Sequence, residues 1–157
     1  MKFQDYIIDA IEIAFKDAFK AARAVPEDKL SWKPLDLGRS VLDQAQELAQ
    51  CPDYVTGMVK GEKSSDNDGD WDAVIKERQA WTTLDKCQEI ANERLAALYD
   101  AIRACPDERL KETVWLPYDG GRDFTIEEIM DYPRWNANYH SGQINYIQTL
   151  YGDKEMH

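Results

Sequence analysis

The chain is poor in positive charge. Of its 157 residues, 19 are Lys or Arg and 30 are Asp or Glu, so that the formal net charge is -11. Nucleic acids and anionic membranes are bound by clustered Lys and Arg, and this balance therefore argues against both kinds of partner. No apolar run approaches the roughly 18–20 residues of a membrane span. Acidic residues also interrupt the apolar part of the N-terminal segment MKFQDYIIDAIEIAFKD, which is unlike a signal peptide.

Cysteine is scarce as well. Cys51, Cys87 and Cys105 are odd in number and lack CxxC spacing, which favours free thiols in a reducing compartment over disulfides. With no targeting signal in view, we expect a cytoplasmic protein. Cys51 and Cys87 fall on apolar stripes, where thiols usually serve as inert core residues. The sequence also has no Gly-rich phosphate loop, nucleophile elbow or dinucleotide fingerprint.

What the chain does contain is enough apolar surface for one folded core. Apolar residues make up 43% of it, and 5 Trp, 8 Tyr and 4 Phe add aromatic bulk, which predicts a single domain over 1–157. Apolar residues at three- and four-residue steps predict four amphipathic helices. These helices cover 4–24, 40–61, 83–104 and 125–153. The expected fold is an all-α, antiparallel four-helix bundle.

Two local features modify this picture. Residues 112–124 (ETVWLPYDGGRDF) predict a short β-hairpin before the last helix, with a turn at Asp119-Gly120-Gly121. Pro52 and Pro133 each fall inside a predicted helix, which we expect them to kink or divide, because proline removes a backbone donor.

The segment from Gly61 to Asp72 (GEKSSDNDGDWD) is interpreted as a solvated acidic loop. Its DNDGDWD part resembles a calcium-binding loop. In the EF-hand register, however, Ser64 takes the first position and Ile75 the twelfth, where a bidentate Glu is required.

The last predicted helix carries two polar residues on its apolar face. Thr125 is a suitable N-cap, and Glu128 completes the spacing of a capping box. The apolar face comprises Ile126, Ile129, Ala137, Ile144, Ile147 and Tyr151. Asn136 and His140 lie on that face one turn apart. Burying polar groups costs free energy unless they are hydrogen-bonded or coordinate an ion, so this pair is the first candidate site.

Two more side chains join the candidates. Glu47 lies on the flank of the second helix's apolar stripe, and Gln143 lies one turn after His140. Imidazole is the commonest metal-ligand type, and residues four apart on a helix can bind one ion. The alternative is a satisfied hydrogen-bond network in the core. The other histidine, His157, is the last residue and is given no role.

Three segments resemble the DinB-like family, also described as YfiT-like metal-dependent hydrolases. They are LSWKP after the first helix, RSVLDQAQELA in the second helix and YHSGQINYIQTLYGD in the last. The resemblance covers nearly the whole chain, including the hairpin, and its most specific part is the H-x-G-Q motif that begins at His140. It implies a four-helix bundle fold.

The resemblance also implies a site. Members of this family hold a divalent metal with three histidines, one in the second helix and two in an H-x-x-x-H pair in the last. These positions correspond to Glu47, Asn136 and His140, so only one histidine is kept. A Glu/Asn/His site would be harder than the family's, and would accept nickel, iron or manganese about as readily as zinc.

Two functions follow as hypotheses. In the first, the bundle pocket binds a divalent metal and a small molecule for metal-assisted transfer or hydrolysis, with His140 as the main ligand and Glu47 as second ligand or general base. The resemblance implies a low-molecular-weight thiol as cosubstrate and a homodimeric protein. In the second, the bundle has lost its metal and is a non-catalytic, dimeric binding or interaction module.

Overall fold

The computed structural model describes residues 1–35, 37–62, 71–117, 120–155 and 157, with the backbone alone at residue 71. The described residues are mostly helical, with one small hairpin. The elements are α1 Phe3–Arg23, α2 Val41–Lys60, α3 Trp71–Gln79, α4 Leu84–Ala104, β1 Thr113–Leu116, β2 Arg122–Thr125 and α5 Ile126–Leu150. All four predicted helices are therefore present, and among the described helices none is long and apolar enough to cross a bilayer.

One helix was not predicted. The acidic loop was expected to run to Asp72, but α3 already begins at Trp71. Its apolar residues Trp71, Ala73, Val74 and Ile75 all lie in its first half and are followed by the polar segment KERQ, so no apolar face runs along its length. The rest of the predicted loop, including DNDG and the Ser64 position tested for calcium, lies largely outside the described residues.

The two interior prolines do not divide their helices. Pro52 lies inside α2 and Pro133 inside α5, and each helix continues through its proline. Each proline removes one intrahelical hydrogen bond. Most helical stability in proteins comes from tertiary packing of the buried face, which both helices possess, and this packing explains why they stay whole.

The predicted helix starts are confirmed. The Ser40 hydroxyl accepts a hydrogen bond from the Asp43 amide at 3.1 Å and so caps α2. Thr125 and Glu128 form the predicted capping box of α5: the Thr125 hydroxyl accepts from the Glu128 amide, and the Glu128 carboxylate accepts from the Thr125 amide at 2.8 Å. These caps fix where the two helices that carry the candidate site begin.

Each of the four long helices, α1, α2, α4 and α5, packs against at least two of the others. Helix α1 contacts α4 and α5, and α2 contacts the same two. Gln4 at the start of α1 donates to the Cys105 carbonyl after α4 at 3.1 Å, while Arg23 at the end of α1 pairs with Asp85 at the start of α4 at 2.8 Å. Helices α1 and α4 are therefore antiparallel.

The buried core consists of the predicted apolar faces. Its members include Ile7, Ile11, Ala18, Val41, Ala45, Leu48, Val55, Cys87, Ala91, Leu98, Ile102, Ile126, Ile129, Ala137, Ile144 and Ile147. Tyr151 is only partly buried and packs against this core. The three cysteines are free and buried; free thiols were predicted for all three, and core positions for Cys51 and Cys87. Burial raises the pKa of the Cys87 thiol to about 11 and that of Cys51 still further, so both thiols stay protonated at neutral pH.

The predicted hairpin is present. Strands β1 and β2 pair antiparallel, with Thr113 opposite Thr125 and Leu116 opposite Arg122. Gly120 and Gly121 have positive φ values of 82° and 84°, as a glycine turn requires. Asp119, the other member of the predicted turn, lies outside the described residues. Because Thr125 both ends β2 and caps α5, the hairpin is held against the start of the last helix.

Candidate functional site

The residues predicted on the apolar face of α5 are buried and meet Glu47. Asn136 is 3% and His140 1% exposed. His140 Nε2 lies 3.1 Å from Glu47 Oε1, and Asn136 Nδ2 lies 3.4 Å from the same oxygen. The structure thus brings together the three residues that sequence reasoning selected, across the interface between α2 and α5.

This meeting follows from the direction of the two helices. Gln44 and Glu47 lie one turn apart on α2, and His140 and Asn136 lie one turn apart on α5. Gln44 contacts His140, while Glu47 contacts both His140 and Asn136. The helices are therefore antiparallel at this point, and their polar residues form facing pairs.

The second nitrogen of His140 is held by two glutamines. Nδ1 lies 3.2 Å from Gln44 Oε1 and 3.1 Å from Gln143 Oε1. Both ring nitrogens of His140 therefore face oxygens that can accept a hydrogen bond, those of two amides and one carboxylate. Gln143, the fourth predicted interior candidate, is thus part of the same group of residues.

Two arginines approach Glu47 from the other side. Arg39 Nη1 lies 2.7 Å from Glu47 Oε2, and Arg78 Nη1 lies 3.5 Å from it. Both arginines also contact Asp43, Arg39 Nε at 2.6 Å and Arg78 Nη2 at 3.5 Å. We call the whole set the polar cluster: Arg39, Asp43, Gln44, Glu47, Arg78, Asn136, His140 and Gln143.

The charges around Glu47 hold it ionised. Partial burial acts to raise its pKa, but the hydrogen bond from His140, the positive charge of Arg39 and that of His140 outweigh burial and lower the pKa to about 2. Its side chain is 29% exposed, at the rim of the buried pair formed by Asn136 and His140.

The polar cluster does not fit the metal site that the family resemblance implies. Among the described residues, no three His, Cys, Asp or Glu side chains gather in a way that could hold an ion. One oxygen of Glu47 already carries two guanidinium contacts. Two fixed positive charges beside the carboxylate oppose a divalent cation there. One feature points the other way: Asn136 Oδ1 is buried and accepts no hydrogen bond from the described residues.

Sequence reasoning missed four members of the polar cluster. Gln44 lies at core spacing between Val41 and Leu48, so the rule that selected Asn136 and His140 could have found it. Asp43 and Arg39 flank the α2 cap, and Arg78 belongs to the unpredicted helix. No sequence periodicity marks these three, because their contacts depend on side chains that converge from separate segments.

The same two helices also line a pocket. It has a volume of about 610 Å³ and lies between α2, the hairpin and α5. Its described lining includes Tyr54, Met58, Phe124, Tyr132 and Trp135. Tyr54 lies two turns beyond Glu47 on α2, and Tyr132 lies one turn before Asn136 on α5, so the pocket adjoins the polar cluster without including it. We call it the aromatic pocket.

A smaller cavity touches the polar cluster directly. Its volume is about 330 Å³, and its lining includes Arg39, Gln44, Gln143 and Tyr146. Three of these four residues are already engaged with Glu47, Asp43 or His140.

Comparison with known proteins places the fold but no activity. No protein-family model matches the chain, and no curated protein matches it. Among solved structures, the chain is similar to a conserved protein of a locus from Enterococcus faecalis. The similarity has a TM-score of 0.64 at 15% sequence identity and covers 98% of this chain and 99% of that one. At this identity the likeness shows a shared fold.

Proposed function

We propose that this protein is a non-catalytic binding module with a DinB-like four-helix bundle, in which an internal ion-pair network stands where relatives hold a metal. The proposal rests on one observation: both carboxylate oxygens of Glu47 already contact cationic or hydrogen-bonding side chains of the chain. Its Oε2 atom is 2.7 Å from Arg39 Nη1, and its Oε1 atom is 3.1 Å from His140 Nε2. The cation that this carboxylate requires is supplied by the chain itself.

The packing of the long helices supports the bundle. Helices α1 and α2 contact each other and both α4 and α5, and the pairs α1–α4 and α2–α5 run antiparallel. Under this proposal α3 is an addition outside the four-helix set. It is tied to α2 by the hydrogen bond from Gln50 Nε2 to the Val74 carbonyl at 3.0 Å, and it brings Arg78 to the polar cluster.

The test is elemental analysis of untagged, dialysed protein beside its Glu47→Ala and His140→Ala variants. A purification tag must be absent, because added histidines bind metal themselves. We expect far less than one metal ion per chain in all three proteins, with both variants less stable than the wild type. An Arg39→Ala, Arg78→Ala double variant sharpens the test, since removing both guanidiniums should increase binding of Ni²⁺ or Zn²⁺ if they exclude it.

The second candidate is the metal-dependent hydrolase or thiol S-transferase that the resemblance implies. The unpartnered Asn136 Oδ1 favours it, because a buried amide oxygen beside an imidazole and a carboxylate is a set of possible ligands. Near-stoichiometric nickel, zinc, iron or manganese, lost in both single variants, would establish this candidate and overturn the first. It would also justify assays of thiol transfer to electrophiles.

Both candidates share the homodimer that the resemblance implies. Sedimentation velocity over a range of protein concentrations tests it: a species of twice the chain mass of 18.1 kDa is expected. A monomer at all concentrations would remove the dimer from either function.

A further inference from the structure

We propose that the aromatic pocket binds a neutral, planar aromatic molecule. This inference rests on the proposed function, because it names the class of ligand that the binding module would take. The volume of about 610 Å³ lies within the range of small-molecule sites, roughly 300–1,000 Å³.

The floor of the pocket is apolar and preformed. Met58 from α2 is 3% exposed, Leu116 from β1 is 6% and Ile129 from α5 is 2%. They belong to three separate elements, and each is fixed by the surrounding core. A ligand seated on this floor therefore loses contact with water without ordering the protein first.

One wall of the pocket presents flat rings. The Trp135 ring stacks on Tyr132 at 5.7 Å between centroids and 23° between planes, and on Tyr139 at 5.4 Å and 11°. Trp135 is nevertheless 53% exposed. Because Tyr132 precedes and Tyr139 follows it along α5, Trp135 has a ring on each face and exposes its edge. A rigid aromatic edge packs favourably against the face of another planar ring, which it suits better than a flexible chain.

The charged side chains around the pocket are already paired. Arg122 Nη1 lies 3.2 Å from Glu128 Oε1, and the Arg122 guanidinium covers the Phe124 ring at 3.6 Å. Asp131 accepts two hydrogen bonds from Arg134, at 2.5 Å and 2.7 Å. These pairs are partly exposed, but they leave a charged ligand no unpaired counter-charge among Arg122, Glu128 and Asp131, so shape and contact between rings decide binding.

The experiment is a fluorescence titration with two matched probes. N-phenyl-1-naphthylamine is neutral, and 8-anilinonaphthalene-1-sulfonate has the same ring system with one sulfonate. We expect saturable binding of the neutral probe, and a dissociation constant at least about tenfold weaker for the sulfonate, which must be desolvated beside Glu128 and Asp131. Equal or tighter binding of the sulfonate would overturn the proposal, as would no binding of the neutral probe.

Three variants locate the probe. Trp135→Ala should weaken the neutral probe about tenfold, whereas Trp135→Phe, which keeps a ring, should retain most of the affinity. Trp115→Ala is the matched control: Trp115 is 56% exposed and lies on the strand face opposite Leu116, away from the pocket. Tyr146→Ala reports on the smaller cavity. Loss of binding in the Tyr146 or Trp115 variant but not in Trp135→Ala would place the probe elsewhere and overturn the inference.

The probe titration and the metal analysis test different proposals, and a negative result in one does not decide the other. If the protein holds stoichiometric metal, the proposed metal-free module is wrong, but the result for probe binding still stands. Absence of probe binding in a metal-free protein removes only the ligand class.

Discussion

The interface between α2 and α5 has two regions of opposite character. Around Glu47 and His140, side chains of the two helices contact one another at 3.1 to 3.4 Å, and Arg39 and Arg78 from outside these helices contact Glu47 at 2.7 and 3.5 Å. Two to three turns away, at Met58 and Ile129, the same helices and the hairpin line a pocket of about 610 Å³. Cys51, buried and protonated, separates the two regions on α2.

The contrast indicates which region is structural and which is open to a ligand. Both oxygens of Glu47 have partners from the chain, so a ligand at the polar cluster must compete with existing contacts. The aromatic pocket retains unfilled volume beside a stacked ring. Protein interiors are otherwise close-packed, so unfilled volume of this size on an apolar floor is where a small molecule can bind. Substitutions on the two sides should therefore differ in what they change.

The largest expected effect is that of Glu47→Ala. The substitution leaves Arg39, Arg78 and the 1%-exposed His140 without their shared carboxylate. Breaking a buried charge pair by removing one partner costs several kcal/mol, and because Glu47 is partly exposed we expect a loss of about 3 kcal/mol. Urea denaturation measures it. Glu127→Ala, which breaks only the exposed pair with Lys111, is the control and should cost about 0–1 kcal/mol. Equal losses in the two variants would show that the polar cluster is not structural.

The next effect is a pH dependence that belongs to Glu47. Its pKa falls from 4.5 to about 2 on folding, so its contribution is fully present above about pH 5 and is lost as pH falls from there toward 2. The full contribution is on the order of 2–3 kcal/mol. Glu47→Gln lacks it. The stability difference between wild type and this variant should therefore narrow in urea titrations from pH 6 down to pH 3.5. A constant difference would contradict the assigned charge network.

A smaller effect separates the two arginines. Arg39 lies 2.7 Å from Glu47 and 2.6 Å from Asp43, whereas both distances for Arg78 are 3.5 Å. Short charge-assisted hydrogen bonds are the stronger ones. Arg39→Met should lower the free energy of unfolding by about 1–2 kcal/mol, and Arg78→Met by about half as much, with methionine keeping part of each apolar stem. If Arg78→Met is the more destabilising variant, its packing rather than its charge supports the cluster.

The helices were predictable because their buried faces repeat over twenty residues or more. In α1, α2, α4 and α5 apolar residues recur mostly at three- and four-residue steps, and the structure buries those faces. Helix α3 has nine residues and no such face. It is held by contacts with other helices, such as Arg94 Nη2 to Glu77 Oε1 at 2.7 Å. Contacts between distant segments leave no periodic pattern to read.

The candidate site was predictable only in its centre. Asn136 and His140 stood out as polar residues at core positions, and the structure buries both and brings Glu47 to them. The approach of Arg39 and Arg78 changes what that centre can bind, yet it depends on a connection and a helix outside the periodic segments. The aromatic pocket depends on volume left unfilled, which side-chain identities alone do not determine.

The smallest expected stability change is that of Trp135→Ala, on the other side of the comparison. The side chain is half exposed, so about half of its area stays in water after folding, and the ring contacts that the substitution removes are those with Tyr132 and Tyr139 on the same helix. We expect a decrease of about 1 kcal/mol or less in the free energy of unfolding, measured in urea at neutral pH. The same variant should bind the neutral probe about tenfold more weakly, so that binding and stability separate at this residue. A decrease above about 2 kcal/mol would mean that the stacked rings hold the fold together, and the division between a structural cluster and a ligand pocket would then fail.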